Sequence, residues 1–162
     1  MPSSGFGNKG ATGTRNHWGV LILTGETFIL HEQLAKDTLV IGDWPLCRLL
    51  RMSDSTYPWL ILVPKRTDIR EIIDLAESDQ QILMTEIAQA SRALRQELAP
   101  DKINVAALGN VVPQLHVHII ARFTSDPAWP RPIWGVTPAK AFGPKNADAD
   151  LARWRAALGV SQ

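Results

Sequence analysis

Polar and aliphatic residues alternate along most of the segment Gln114-Leu115-His116-Val117-His118-Ile119-Ile120. A β-strand sends alternate side chains to opposite faces. The alternation therefore predicts a strand with Gln114, His116 and His118 in one row. The opposite row is predicted to be buried and is aliphatic: Leu115, Val117 and Ile119. The chain has four histidines, and placing two on one anchored strand face gives the fixed geometry that a site requires.

The chain before the histidine strand predicts a β-hairpin. Residues 46–52 and the short apolar run 59–64 have extended patterns, and residues 53–58 between them have the composition of a turn. An earlier extended stretch over 28–52 includes a strand at 38–41. A further strand is predicted over 103–108, paired with the histidine strand, so that the loop 109–113 lies beside the histidines.

Helical signals occur between the hairpin and the last two strands. Asp68 with Glu71 resembles a capping box and predicts a short helix to about residue 75. Ser78 with Gln81 predicts a second helix over 78–98, whose apolar residues recur at helical spacing. One face of this helix is therefore expected to pack on the sheet.

The order strand, strand, helix, strand, strand predicts an α+β fold with an antiparallel sheet and a long helix across one face. We expect a flexible tail over 1–19, a domain over 20–135 and a C-terminal extension over 136–162. The tail is rich in Gly, Ser, Thr and Asn. The segment after Phe123 is rich in Trp and Pro and is predicted to be irregular, with a short helix over about 148–158.

Composition excludes several classes of function. The net charge of +1 over 162 residues gives no electrostatic case for binding a nucleic acid polymer. The single cysteine, Cys47, excludes an internal disulfide and a cysteine-rich zinc site. No apolar run is long enough to cross a membrane, and no secretory signal is apparent. We expect a cytoplasmic protein with no membrane partner.

Nucleophilic catalysis on phosphorus is the first chemistry that the histidine row allows. A neutral imidazole can attack with one ring nitrogen while an acceptor fixes the other, and a neighbouring histidine can hold a phosphate oxygen. Backbone N–H groups of the loop at Gly109, Asn110 and Val111 can stabilise the charge of the transition state. An ordinary hairpin loop is an equally good interpretation of these three residues.

Metal binding is the second chemistry, because His-x-His on one strand face is a common arrangement for two ligands. A closed site needs further ligands. The other histidines are His17, in the predicted tail, and His31, so carboxylates such as Asp43 or Asp54 would have to serve. No second metal-like cluster is visible in the sequence.

The pattern Gln-φ-His-φ-His-φ-φ, in which φ is apolar, resembles the signature of the histidine triad (HIT) superfamily with Gln114 in place of the first histidine. The resemblance covers about 37–122 and includes the hairpin, the long helix and the Asn104–Pro113 stretch. The later segments at 126–130 and 132–135 resemble those of a bacterial HIT subgroup. The resemblance implies a homodimer that hydrolyses or transfers nucleotides at an α-phosphate. It also implies that the reaction proceeds through a nucleotidyl-histidine intermediate and needs no obligatory protein-bound cofactor.

The resemblance also implies roles for individual residues. His116 matches the nucleophilic middle histidine, and His118 matches the third, which supports the phosphate. Gln114 takes the supporting first position, and Asn110 falls near the phosphate or leaving group. Asp54 resembles a residue that contacts the ribose.

Trp59 stands where better-known branches often have a histidine, and either base stacking or a core position would explain it. A dinucleoside polyphosphate, another nucleotide or a nucleoside phosphoramidate is the implied partner. Two alternatives stay open. The first is a nucleotide-binding protein with little turnover, because the triad is incomplete. The second is a metal-dependent hydrolase that uses His116 and His118.

Overall fold

The computed structural model describes residues 13–15, 21–23 and 28–160. Two short strands, β1 (Gly13–Arg15) and β2 (Leu21–Leu23), pair antiparallel with each other. Apart from β1, the predicted tail 1–19 lies outside the described residues. The remaining elements follow in chain order: α1 (Glu32–Asp37), β3 (Thr38–Asp43), β4 (Cys47–Met52), β5 (Trp59–Pro64), α2 (Glu77–Leu98), β6 (Lys102–Ala106), β7 (Val117–Arg122) and α3 (Pro144–Leu158).

The main sheet has five antiparallel strands in the order β3-β4-β5-β7-β6. The predicted hairpin is confirmed as β4 and β5, and β6 pairs with β7 as predicted. Both strands of that last pair are shorter than the pattern indicated. The α+β prediction is confirmed, and β7 lies between β5 and β6 inside the sheet.

Both faces of the sheet are covered, so that every residue of β5 and of β7 is buried. One face packs against α2 and α3, where Leu83, Leu94 and Trp154 meet Val117 and Ile119. The other face is covered by apolar residues of α1 and of the segment after β7, namely Leu34, Ala128 and Ile133. The face of the sheet that carries His116 and His118 is therefore covered by the Trp-rich and Pro-rich segment.

Helix α2 is fixed to the sheet by a buried carboxylate as well as by its apolar face. The side chain of Glu86 is 3% exposed, and its two oxygens accept the backbone N–H groups of Leu46 and Cys47 at 2.9 Å each. These amides belong to the first residue of β4 and to the residue before it, so one side chain sets the position of the helix against the start of the hairpin.

Three local predictions are corrected. Residues 32–37 form helix α1 inside a stretch predicted to be extended, because His31 caps the helix through its Nδ1, which accepts the N–H of Gln33. The capping box lies at Glu71 and Asp74 around a short 3-10 turn, and Asp68 does not begin a helix since its φ is +56°. Finally, α3 begins at Pro144, four residues before the predicted start.

The segment after β7 is held against the hairpin by buried polar contacts. Arg122 is 1% exposed and forms two hydrogen bonds to the carboxylate of Asp126, at 2.7 and 3.0 Å. Arg51 of β4 is also buried, and its Nε donates to Asp150 of α3 at 2.8 Å. None of the helices in the described ranges is both long and apolar enough to cross a membrane.

Candidate active site

The two histidines of the row are buried side by side, with His116 and His118 only 7% and 5% exposed. Their ring centroids are 4.8 Å apart and the rings are nearly perpendicular. The strand β7 begins at Val117, so Gln114 and His116 precede its regular hydrogen bonding. The aliphatic row is buried as predicted, and His116 and His118 are also buried because the C-terminal segment covers them, whereas Gln114 is half-buried.

His116 has one ring nitrogen fixed and one free. Its Nδ1 lies 2.7 Å from the backbone carbonyl oxygen of Gln114. A carbonyl oxygen can only accept, so Nδ1 carries the proton and the neutral ring keeps a lone pair on Nε2. This is the arrangement that a nucleophilic imidazole needs.

His118 has the opposite arrangement. Its Nδ1 accepts the indole N–H of Trp59 at 3.0 Å, so in the neutral ring the proton lies on Nε2. Burial, followed by the neighbouring charge on His116, lowers the pKa of His118 from 6.5 to about 3. At neutral pH His118 is an uncharged ring that donates from Nε2.

Gln114 lies beside the histidines but uses its side chain elsewhere. Its carbonyl oxygen accepts the N–H of His31 at 2.9 Å, and its amide nitrogen donates to the carbonyl of Ile29 at 2.9 Å. The side chain therefore connects the start of α1 to the histidine segment. The backbone carbonyl of Gln114, in contrast, is the group that orients His116.

A cavity of about 320 Å³, which we call the histidine cavity, brings most of the predicted site together. Its lining includes six predicted residues: Gly109, Asn110, Val111, His116, His118 and Trp59. Gly109 has a φ of +68°, a conformation that favours glycine. Among the described residues, the backbone N–H groups of 109–111 donate to no other backbone group.

Asp54 lies in a second cavity, of about 450 Å³, which we call the hairpin cavity. The carboxylate is 8% exposed, and its Oδ1 accepts the backbone N–H groups of Thr56 at 2.8 Å and Lys140 at 3.1 Å. The two cavities share four lining residues: Asp37, Met52, Trp59 and Trp134. Asp54 and Gln114 are thus the predicted site residues that do not line the histidine cavity.

Trp134 is the main site residue that the sequence did not single out. Its ring meets those of His118 and Trp59 edge to face, with centroids 5.4 and 5.7 Å apart. The sequence indicated Trp134 only through the resemblance of the segment 132–135 to that of a bacterial subgroup. Asp37 and Met52 also line both cavities, but nothing in their local sequence marked them.

The described residues contain no group of three or more His, Cys, Asp or Glu side chains able to hold a metal ion. Asp43, one of the carboxylates considered as a further ligand, instead bonds to Arg48 at 2.9 Å. The pair of histidines has no third ligand of these types beside it in this part of the chain.

The chain matches the family model of the HIT domain over residues 33–125. The chain belongs to the HIT family. A histidine triad protein from Bradyrhizobium japonicum is 51% identical, with 82% of this chain and 99% of that one covered and a TM-score of 0.79.

Two further HIT structures are similar to this chain. A histidine triad protein from Marinobacter aquaeolei VT8 is 44% identical over 83% of this chain and 98% of its own, with a TM-score of 0.80. One from Sinorhizobium meliloti 1021 is 43% identical over 78% and 94%, with a TM-score of 0.76. No curated protein matches the chain. HIT proteins are generally nucleotide-binding hydrolases or transferases, which fits a cavity lined by two histidines.

Proposed function

We propose that this HIT protein hydrolyses or transfers nucleotides at the α-phosphate through a covalent nucleotidyl-His116 intermediate. The observation that carries the proposal is the 2.7 Å hydrogen bond from Nδ1 of His116 to the carbonyl of Gln114. It leaves Nε2 as the nucleophile and stabilises the positive charge that the ring gains when a phosphorus–nitrogen bond forms.

The surrounding groups support a phosphoryl group at this place. His118 carries a donor on Nε2, and Gly109, Asn110 and Val111 line the same cavity with backbone N–H groups that bond to no other backbone group in the described part of the chain. Donors that are fixed before the reaction stabilise developing negative charge more effectively than water does. No protein-bound cofactor takes part in this route.

The nucleoside is proposed to occupy the space between the two cavities. Trp59 and Met52 line both, and the hairpin cavity adds Asp54. Because Oδ1 of Asp54 already accepts two amides, a ribose hydroxyl would use the other carboxylate oxygen. The acceptable substrates are a nucleotide, a dinucleoside polyphosphate or a nucleoside phosphoramidate.

We further propose that the protein is a homodimer and that the exposed edge strand β6 belongs to the interface. Val105, Leu108 and Val111 are 48%, 46% and 88% exposed and lie in or just after this strand. An edge strand also presents unpaired backbone groups that another chain can satisfy. We also propose that the protein is cytoplasmic, which is compatible with its single cysteine. We propose in addition that it belongs to a bacterial HIT subgroup with Gln at the first triad position.

Nucleotide binding without turnover is the second candidate, and the side chain of Gln114 favours it. In this structure the Gln114 amide bonds to the main chain at 29–31 instead of lining the histidine cavity. At the first triad position, the backbone carbonyl of Gln114 therefore bonds to His116, while its side chain bonds to the main chain before α1.

A substrate panel separates the two candidates. Dinucleoside polyphosphates and nucleoside phosphoramidates are incubated with the wild-type protein and with His116→Ala, and nucleotide binding is measured by calorimetry. We expect turnover by the wild type and a loss of about 1000-fold or more in His116→Ala, since the nucleophile is removed. Binding by both proteins without turnover by either would contradict the hydrolase proposal.

A further inference from the structure

Trp59 forms a hydrogen bond that dictates which nitrogen of His118 holds the proton. The indole Nε1 donates to Nδ1 of His118 over 3.0 Å, and both side chains are buried. An indole N–H has no acceptor capacity, so this bond forms only when Nδ1 is unprotonated. The neutral His118 ring must therefore carry its proton on Nε2.

The indole itself is held in place from two sides. Trp59 is the first residue of β5 and pairs with Ile120 of β7, which places its side chain diagonally across from His118. Trp134 packs against the edge of the indole with ring centroids 5.7 Å apart. The donor is consequently fixed before any ligand enters the cavity.

The groups around His118 do not favour a charged ring. The aromatic rings of Trp59 and Trp134 pack against it, and the neighbouring titratable side chain is His116. Asp37 of α1 lines the same cavity and its Oδ2 accepts the side-chain amide of Gln33 at 2.7 Å, but its carboxylate is not among the groups that shift the pKa of His118. Burial and His116 together lower the pKa of His118 to about 3.

We propose that Trp59 is a positioning residue that fixes His118 as a neutral Nε2–H donor, and that the site therefore favours substrates whose leaving group departs without a proton. This proposal rests on the proposed function. Among the proposed substrates, the site would therefore prefer those with a phosphoanhydride bond to those with a phosphoramidate bond.

The proton balance of the reaction explains the selection. Nε2 of His116 attacks the α-phosphorus, a phosphorus–nitrogen bond forms, and the bridging phosphorus–oxygen bond breaks with its electron pair on the departing phosphate. That phosphate is a stable anion and needs no proton. Water then attacks the same phosphorus, the phosphorus–nitrogen bond breaks with its electron pair on Nε2 of His116, and the proton of the water passes to solvent.

A phosphoramidate makes a different demand on the site. Its leaving amine must gain a proton as the phosphorus–nitrogen bond breaks, because an amide anion is far too basic to depart. A neutral imidazole is too weak an acid to supply that proton, and Gln114 has no ionisable proton. General acid catalysis contributes about 100-fold or more, so its loss is large enough to separate the two substrate classes.

The first arm of the test measures the tautomer in the ligand-free protein. Nitrogen-15 NMR of the imidazoles is recorded for the wild type, for Trp59→Phe and for Trp134→Phe. Trp59→Phe removes the hydrogen-bond donor and keeps an aromatic ring. Trp134→Phe makes the second aromatic ring beside His118 smaller, and the Trp134 indole donates no hydrogen bond to His118. We expect an Nε2–H His118 in the wild type and Trp134→Phe, and a mixed tautomer with a raised pKa in Trp59→Phe.

The second arm measures kcat/KM for diadenosine triphosphate and for adenosine 5′-phosphoromorpholidate between pH 5 and 8. The wild type is expected to prefer the anhydride by at least about tenfold, with a ratio that stays flat with pH, and Trp134→Phe is expected to keep that preference even though its overall activity changes, because Trp134 lines the cavity. In Trp59→Phe the ratio should move towards the phosphoramidate only at the acid end of this range, because burial and His116 still lower the pKa of His118 after the indole donor is lost.

The outcomes are distinguishable. An Nδ1–H His118 in the wild type, or the same tautomer and pH profile in Trp59→Phe and Trp134→Phe, overturns the positioning role. A wild type that prefers the phosphoramidate overturns the selection. If neither compound is turned over while the tautomer changes only in Trp59→Phe, the positioning role is supported and the proposed hydrolase function fails.

Discussion

At the scale of single residues, hydrogen bonds give two chemically identical side chains different properties. The carbonyl of Gln114 fixes the proton of His116 on Nδ1, while the indole of Trp59 fixes that of His118 on Nε2. One ring is left with a free lone pair and the other with a free donor. The sequence placed both rings in one row, but their unequal tautomers depend on a backbone carbonyl and on a side chain 59 residues away.

Burial of His118 predicts a pH dependence of stability. Its folded pKa lies below the unfolded value of 6.5, so the unfolded chain binds the extra proton first and stability falls as the pH drops below 6.5 towards 3. Between pH 6.5 and pH 5 the free energy of unfolding should fall by about 2 kcal/mol. Urea denaturation at both pH values measures this change.

His118→Asn is the matched control for that loss, because it removes the titrating group. The variant should be less stable at pH 7 yet show a smaller fall between pH 6.5 and pH 5. Depressed carboxylate pKa values, such as that of Asp126 beside Arg122, act only at lower pH. An equal fall in the variant and the wild type would show that His118 is not the group responsible.

At the scale of elements, long periodic segments could be predicted and short capped ones could not. The hairpin was predictable because its two six-residue strands flank a segment with the composition of a turn, and α2 because its period of 3.6 residues extends over 22 residues. Helix α1 has six residues and a histidine cap, which is outside the usual set of capping residues. Trp134 reaches the site through long-range packing, for which the local sequence carries no signal.

The contact between α2 and the start of β4 depends on Glu86. Replacing it by Ala leaves the N–H groups of Leu46 and Cys47 buried without their acceptor, so we expect a loss of about 3 kcal/mol in the free energy of unfolding. Glu86→Gln keeps one oxygen acceptor and should lose less. Urea denaturation checks both values.

An exposed carboxylate of the same helix provides the control for Glu86. Glu77 lies in the first turn of α2 and is exposed. Glu77→Gln should change stability by no more than about 0.5 kcal/mol. If Glu86→Ala were as mild, the two backbone hydrogen bonds would not be what fixes the helix.

At the scale of the whole molecule, the segment after β7 encloses the site. It supplies Trp134 to the histidine cavity, and the Arg51–Asp150 ion pair fixes α3 against β4. Composition predicted that this segment is irregular, but its position over the histidines depends on polar contacts that are distant in sequence, such as the hydrogen bond from the Lys140 N–H to Asp54. The family match and its similar structures give the fold, while these contacts give the shape of the cavity.

The proposed homodimer makes a prediction about the sheet edge. Light scattering should give twice the mass of one chain, and Val105→Lys should shift the protein towards the monomer because it puts a charge on the exposed apolar edge at β6. Lysine at the exposed Met84 of α2, away from this strand, is the control. A wild-type monomer, or a dimer equally sensitive to both changes, would contradict the assigned interface.

Rapid-quench mass spectrometry shows directly whether His116 becomes covalently nucleotidylated. The protein is mixed with diadenosine triphosphate, quenched under alkaline conditions that preserve phosphoryl-histidine, digested and mapped. We predict that the peptide containing His116 gains one adenylyl group during turnover and that His116→Ala gains none. Turnover with an unmodified His116, or with the group on another residue, would contradict the account.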